Sequence, residues 1–340
     1  MEEREKRCYL ASFDGERRAE RNPVNYQRRD DAHHIYPGDE YYEWWYIDCS
    51  FDNGYHMVLT YHYMNGFLKP IIPTTQLMLY HPDGKQTSRF AAWKPADTYA
   101  GADWCDVRMG DSWLRDKGNG VYELSMIIGG VGARLTMKNE VPGWKLGSGF
   151  NYRNEETGRV AGWVVPVPHA RVEGELFLKG QTLSVAGTAY HDHNWGNERF
   201  YRFFSSWYWG RIHSKAYTVD YAWVLPRNPE APIFAPLLIA KGREIVLSTN
   251  IMETQLSDFA TDPVIPREYA RDFVVTTDNL GVKMDLRIHT KRVVDRMQLP
   301  RSAEWDQHYF RFLADYRMDV EVDGEKDSVA GEMLHEYMVL

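Results

Sequence analysis

The sequence predicts an all-β protein built of antiparallel sandwiches or barrels, and three observations carry that expectation. Short alternating or apolar runs recur along most of the chain, separated by turn sequences such as Asp52-Asn53-Gly54, Pro82-Asp83-Gly84 and Gly118-Asn119-Gly120, the punctuation of β-hairpins. Helical periodicity is sparse. Aromatic residues, which favour strands and also line apolar cavities, make up 14% of the 340 residues as 12 Trp, 22 Tyr and 14 Phe. Many short strands in one chain imply sheets that close or cover their edges.

Taken in order, residues 1–38 read as an extended lead-in, polar, weakly periodic and broken by Asn22-Pro23 and Tyr36-Pro37-Gly38. Strand patterns follow at 45–51, 55–63, 76–80, 122–128, 133–138, 171–178 and 183–190. Asn197-Glu198-Arg199 interrupts the series, and a second set runs through 207–211, 217–225, 234–240, 273–276, 282–290, 310–322 and 331–339. Residues 252–272, with Asp262-Pro263 and Ile265-Pro266, read as a connector in which 266–272 forms a short helix after its proline. The length favours two domains, here 39–198 and 199–340, with the junction close to Gly196.

Composition narrows the function. Forty basic against 48 acidic residues give a net charge of −8, which argues against a general binder of nucleic acid or anionic membranes. Three widely spaced cysteines, Cys8, Cys49 and Cys105, form neither a disulfide framework nor a CxxC zinc pattern. The charged N-terminus lacks a signal-peptide core, and no segment has 18 continuous apolar residues. A soluble, cytoplasmic protein without an integral membrane segment is expected.

Two segments concentrate chemistry. Gly187 to Gly196, reading GTAYHDHNWG, ends a strand pattern with acid, base and aromatic groups, and Tyr41-Tyr42-Glu43-Trp44-Trp45-Tyr46 sets one carboxylate among large rings. Their likeness suggests one site. Along a strand, a period of two puts Tyr190, Asp192 and Asn194 on one face and His191 and His193 on the other. Two roles compete for Asp192: accepting backbone hydrogen bonds where the strand turns, or acting as a general acid, kept protonated by an aromatic, desolvated setting. Aromatic faces would also stabilise a developing cation by roughly 2 kcal/mol or more.

The same alternation puts Tyr41, Glu43 and Trp45 together, opposite Tyr42, Trp44 and Tyr46. Glu43 is either tied into an ion pair or hydrogen bond, or serves as a second acid/base. His191 and His193 form an HxH pair that would hold a metal if a third ligand such as Glu43, His169 or His56 converged. Spacing places no third ligand, so packing and hydrogen bonding are the expected roles and no metal is assigned. Phe200 to Trp209 places seven rings in ten positions; most suit a core, while some of the indoles and phenols reach a cavity. There is no GxSxG elbow, P-loop, GxGxxG after a strand, or HExxH.

Glu43-Trp44-Trp45-Tyr46, Pro166-Val167-Pro168-His169-Ala170-Arg171-Val172-Glu173-Gly174, Gly187 to Gly196 and Ser206-Trp207-Tyr208-Trp209-Gly210, in this order, resemble the AttH-like, carotenoid 1,2-hydratase (hydroxyneurosporene synthase) family. The likeness runs from about residue 40 to Gly331-Glu332-Met333-Leu334-His335-Glu336. It implies two lipocalin-like β-domains, a hydrophobic pocket at or near their interface, and no cofactor. It also implies a hydrophobic isoprenoid, terpenoid or polyketide substrate, with reactions that range from alkene hydration to Diels–Alder cyclisation.

The resemblance makes Asp192 the proton donor; from the residue patterns around it, Tyr190 and Glu43 are the supporting catalytic candidates and Trp45, Tyr46, His193, Asn194, Trp195, Trp207 and Trp209 the substrate-binding candidates. The chain has no evident membrane-association segment, so a small terpenoid, prenylated aromatic or polyketide fits better than a membrane-embedded carotenoid. Three readings follow: a hydratase or dehydratase of an isoprenoid double bond, a cofactor-free cyclase or isomerase, and a lipocalin-like binder that performs no chemistry.

Overall fold

The structure, a computed structural model, describes residues 16–155, 157–229, 233–298 and 307–340. Their secondary structure is almost entirely antiparallel β, in two curled sheets belonging to two compact units, so the all-β, lipocalin-like expectation holds. One unit is formed by residues 24–199; the other by residues 200–340 together with the described residues 16–23. No helix among the described residues is long and apolar enough to cross a membrane.

The first unit carries a 12-stranded sheet. In spatial order its strands are Gln86–Ala92, Thr74–Tyr80, His56–Met64, Tyr42–Phe51, Gln181–Gly196, Arg159–Leu178, Val131–Asn139, Val121–Ile128, Ser112–Gly118, Asp106–Met109 and Thr98–Ala100, with Phe150–Asn154 also paired to Arg159–Leu178. The sheet curls because its two ends share one core. Met57, Leu59, Tyr61, Leu77 and Leu79 pack in the same buried cluster as Val107, Met109, Leu114, Leu124 and Met126. Tyr61 crosses that core to donate to the carbonyls of Trp113, at 2.9 Å, and Ser125, at 3.2 Å.

The second unit carries a 10-stranded sheet in the order Ala19–Glu20, Glu244–Thr249, Leu237–Lys241, Tyr217–Pro226, Phe204–His213, Glu325–Val339, His308–Val322, Val282–Gln298, Glu268–Asn279 and Glu253–Thr261. It too encloses a core, in which Phe273 lies 5.2 Å from Tyr208 and 5.7 Å from Tyr221 between ring centroids.

Two expectations need correction. Residues 253–261 are a strand rather than part of a connector, and 266–272 form no helix, since Glu268–Asn279 is a strand paired to both Glu253–Thr261 and Val282–Gln298. The first is an edge strand that buries little, which leaves it without an apolar stripe. In the second, sheet pairing and the burial of Ala270 and Phe273 override the helix-starting proline. The long strand from Arg159 was visible only from Arg171, because Pro166 and Pro168 break its pattern. The sheet absorbs both prolines where its register shifts, between Val164 and Val167 and between Val167 and Ala170.

Two core histidines set an acid response. Burial pushes both His62 and His335 down from 6.5 to about 3, so each stays neutral when folded. Unfolding frees them to take up protons below pH 6.5. Their contribution is therefore complete above that pH and is lost as pH falls toward 3, at about 1.4 kcal/mol per pH unit for each histidine. Replacing His335 by Gln is expected to flatten the slope of unfolding free energy between pH 6.5 and 5 by about that amount in urea titrations. An unchanged slope would show that His335 titrates normally in the folded protein.

Candidate functional site

The two segments singled out in the sequence are adjacent strands. Tyr42–Phe51 pairs antiparallel with Gln181–Gly196, with His193 opposite Trp45, Asp192 opposite Tyr46 and Tyr190 opposite Asp48. Directly opposed residues project to the same side, so the register sorts the candidates onto two faces. Tyr190, Asp192, Asn194, Trp44, Tyr46 and Asp48 share one; His191, His193, Trp195, Glu43, Trp45 and Ile47 share the other. Glu43 and Asp192, grouped from the sequence, stand on opposite faces.

On the first face Asp192 is clasped by its own strand. Tyr190 donates its hydroxyl to Oδ2 at 3.0 Å, and Asn194 donates from Nδ2 to Oδ1 at 2.8 Å. Both donors are two residues away, the spacing at which neighbours on one strand face meet. The Tyr46 ring lies 6.3 Å from Tyr190, edge to face, and its hydroxyl donates to Oδ2 of Asp48 at 3.3 Å. Asp48 is a second buried carboxyl on this face. Its place there follows from the strand register, which the sequence patterns did not disclose. Chemically, the face offers a held carboxyl with an adjacent phenol for proton transfer, beside the aromatic surface of Tyr46 and Trp44.

The second face carries a buried charge cluster whose other half comes from the segment before Glu43. His191 Nε2 is 3.1 Å from Asp31 Oδ2, and its Nδ1 is 2.9 Å from the Tyr46 carbonyl. His193 reaches both carboxylates, with Nε2 at 3.0 Å from Glu43 Oε1 and Nδ1 at 3.4 Å from Asp31 Oδ1. Glu43 also accepts the His34 backbone N–H at 2.8 Å and the Tyr41 hydroxyl. Tyr122 donates to Asp31 at 2.9 Å, and the Trp45 indole donates to the Asp31 carbonyl at 3.1 Å.

Burial alone would raise both carboxyls. The imidazoles of His191 and His193 outweigh it at Asp31 and hold that group well below the usual carboxylate range, while His193 and His34 bring Glu43 down to about 2. In return, Asp31 and Glu43 overcome the effect of burial on His193 and raise its pKa. Asp31, His33 and His34 were missed because their segment lacks periodicity. The available signal was density, since Asp30-Asp31-Ala32-His33-His34 is as rich in titratable groups as the Asp192 motif.

The remaining candidates divide between the units. Trp45 and His193 stack at 4.2 Å in the first unit, and Trp195 lies parallel to His34 at 3.7 Å. Gly162, opposite Trp195, provides room for it, because a Cβ there would come within 2.2 Å of the indole. Trp207 and Trp209 belong to the second unit, where their indoles donate to Glu336 at 3.2 Å and Asp220 at 2.9 Å. Among the described residues, three groups of side chains have the proximity needed to hold a metal ion: His34, Glu43 and His193; Asp31, Cys105 and His191; and Asp258, Asp272 and His289.

Fold and site together define an all-β chain of two curled antiparallel units, lipocalin-like, with an acid held among aromatic rings. The chain belongs to the Diels-Alderase-like family, whose model matches residues 128–318, more than half of its length. An AttH candidate from Nitrosomonas europaea is structurally similar at a TM-score of 0.66, with 17% identity over 92% of this chain and 96% of that one. CghA in complex with Sch210972 gives 0.66, with 11% identity over 95% and 98%. Kievitone hydratase from Nectria haematococca gives 0.59, with 15% identity over 88% of each. At these identities the likeness is one of fold, and it upholds the AttH-like resemblance. A search of curated protein sequences finds no match.

Proposed function

We propose that the protein is an enzyme that adds water to, or removes it from, a double bond of a hydrophobic isoprenoid or terpenoid without a cofactor. The observation that carries this reading is Asp192, held between Tyr190 and Asn194 on a face that also presents Tyr46 and Trp44. In the hydration direction the Asp192 carboxyl gives its proton to one alkene carbon, leaving a tertiary cation against the aromatic rings. Water adds to the cation and loses a proton, which restores the carboxyl. Dehydration uses the same groups in reverse, as microscopic reversibility requires. The two donors to Asp192 hold it in one rotamer, so the proton is delivered to a fixed point. The buried Cys105 thiol suits a reducing compartment such as the cytoplasm.

The family match favours a second reading, in which the protein folds a polyene for cyclisation. Positioning then supplies most of the rate, up to about 7–11 kcal/mol in well-oriented systems. Turnover of prenylated aromatics and linear polyenes in ¹⁸O-labelled water separates the readings. A hydratase yields a product heavier than the substrate by one labelled water, whereas a cyclase yields an unlabelled isomer. Binding without any product would leave only the lipocalin-like binder and overturn both.

A further inference from the structure

We propose that His34, Glu43 and His193 bind a divalent transition-metal ion, of which zinc is the type, that fastens the segment around His34 onto the sheet. This site is independent of the Asp192 reading, since it lies on the opposite face of the same strands.

The ligand spacing is the first ground. Glu43 Oε1 is 3.0 Å from His193 Nε2 and 3.4 Å from His34 Nδ1, and the three donor atoms lie within 4.8 Å of one another. Ligands held about 2.0–2.1 Å from a tetrahedral zinc ion stand about 3.3 Å apart, so one ion suits the three atoms. His34 Nδ1 is buried and makes no hydrogen bond, as a nitrogen reserved for a metal would.

The surrounding shell is the second ground. A metal-bound histidine ordinarily turns its far nitrogen to a carboxylate, and His193 Nδ1 faces Asp31 Oδ1 at 3.4 Å. Tyr41 donates to the other oxygen of Glu43 and is itself 3.0 Å from His33 Nε2. Both ligand rings are fixed by stacking, His34 on Trp195 and His193 on Trp45.

Charge is the third ground. Asp31 and Glu43 are fully buried, and among the described residues their ion-pair partners are all histidines. A divalent ion would neutralise both carboxylates with every imidazole neutral. The donor set, two imidazoles and one carboxylate, suits zinc, iron, cobalt or nickel rather than calcium or magnesium. The rival occupant is a proton on His193 shared between the carboxylates.

The test uses the full-length protein. Elemental analysis after purification is expected to find close to one metal per chain. After chelation, Co²⁺ is expected to bind one per chain with visible d–d absorption, and Zn²⁺ to displace it and raise the unfolding temperature. His34→Ala, on an irregular segment, is expected to keep the fold and lose the absorption. Asp31→Asn, at a positioning residue, is expected to weaken Zn²⁺ binding by about 10–100-fold. His289→Ala, in the exposed third group, is expected to change neither. The proposal is overturned if folded wild-type protein is metal-free and takes up neither ion, which leaves the proton as occupant. Equal Co²⁺ binding by His34→Ala would overturn it as well.

Discussion

Replacing Asp192 by Asn is expected to lower turnover by about 10²–10⁴, the ordinary worth of a positioned acid or base, while ligand affinity stays near the wild-type value. Asn matches Asp in size and still accepts one hydrogen bond, so the strand around it is retained, but it can neither give nor take the transferred proton. The two existing donors sharpen the comparison. Tyr190 and Asn194 occupy one oxygen each, and the new amide must turn its N–H₂ toward one of them, costing on the order of 1–3 kcal/mol locally. Single-turnover rates measured beside ligand quenching of tryptophan fluorescence separate lost chemistry from lost binding. A moderate fall in rate would favour the cyclase reading, in which positioning dominates. Hydration at the wild-type rate would remove Asp192 as the acid.

Replacing Trp45 by Ala is expected to cost about 3–5 kcal/mol of stability, the usual price of emptying a buried Trp site. For a unit of 150–250 residues this lowers the unfolding temperature by roughly 6–20 °C. Trp45 has no exposed surface. It supports the His193 ring at 4.2 Å and holds the Asp31 carbonyl through its indole N–H at 3.1 Å. Removing it therefore opens a cavity and loosens the segment that carries Asp31. Trp45→Phe keeps a ring against His193 and is expected to lose considerably less. Scanning calorimetry gives the answer directly, and an unchanged transition for Trp45→Ala would contradict the core position. Because Trp45 faces away from Asp192, activity per folded molecule is expected to fall far less than with Asp192→Asn.

Much of the fold was legible because apolar alternation reports a strand with one buried face, as in 310–322, and a largely apolar run reports one buried on both faces, as in 217–225. Some of the strands that escaped bury little or are very short: Gln86–Ala92 alternates between exposed and half-buried positions, and Thr98–Ala100 has only three residues. Glu244–Thr249 escaped although it is well buried, because it has too few residues for its pattern to stand out. In the site, the division of Tyr190 and Asp192 from His191 and His193 needed only the period of two. Setting Glu43 beside His193 rather than Asp192 needed the pairing register, which depends on contacts between residues about 150 positions apart. Asp31 and His34 were harder still, since a segment whose regular structure is a single 3-10 turn, Arg28–Asp31, carries no periodic signal and finds its place only through side chains on distant strands.

The path of the first described residues governs the order in which the protein can be completed during synthesis. Residues 24–199 are contiguous, so that unit has all of its parts once Arg199 is available. Ala19–Glu20, by contrast, forms the edge of a sheet whose next strand is Glu244–Thr249, so this dipeptide must wait for partners made more than 220 residues later. Until then the first unit stands with a short free strand ahead of it, and translation through Thr249 is what gives that strand its place.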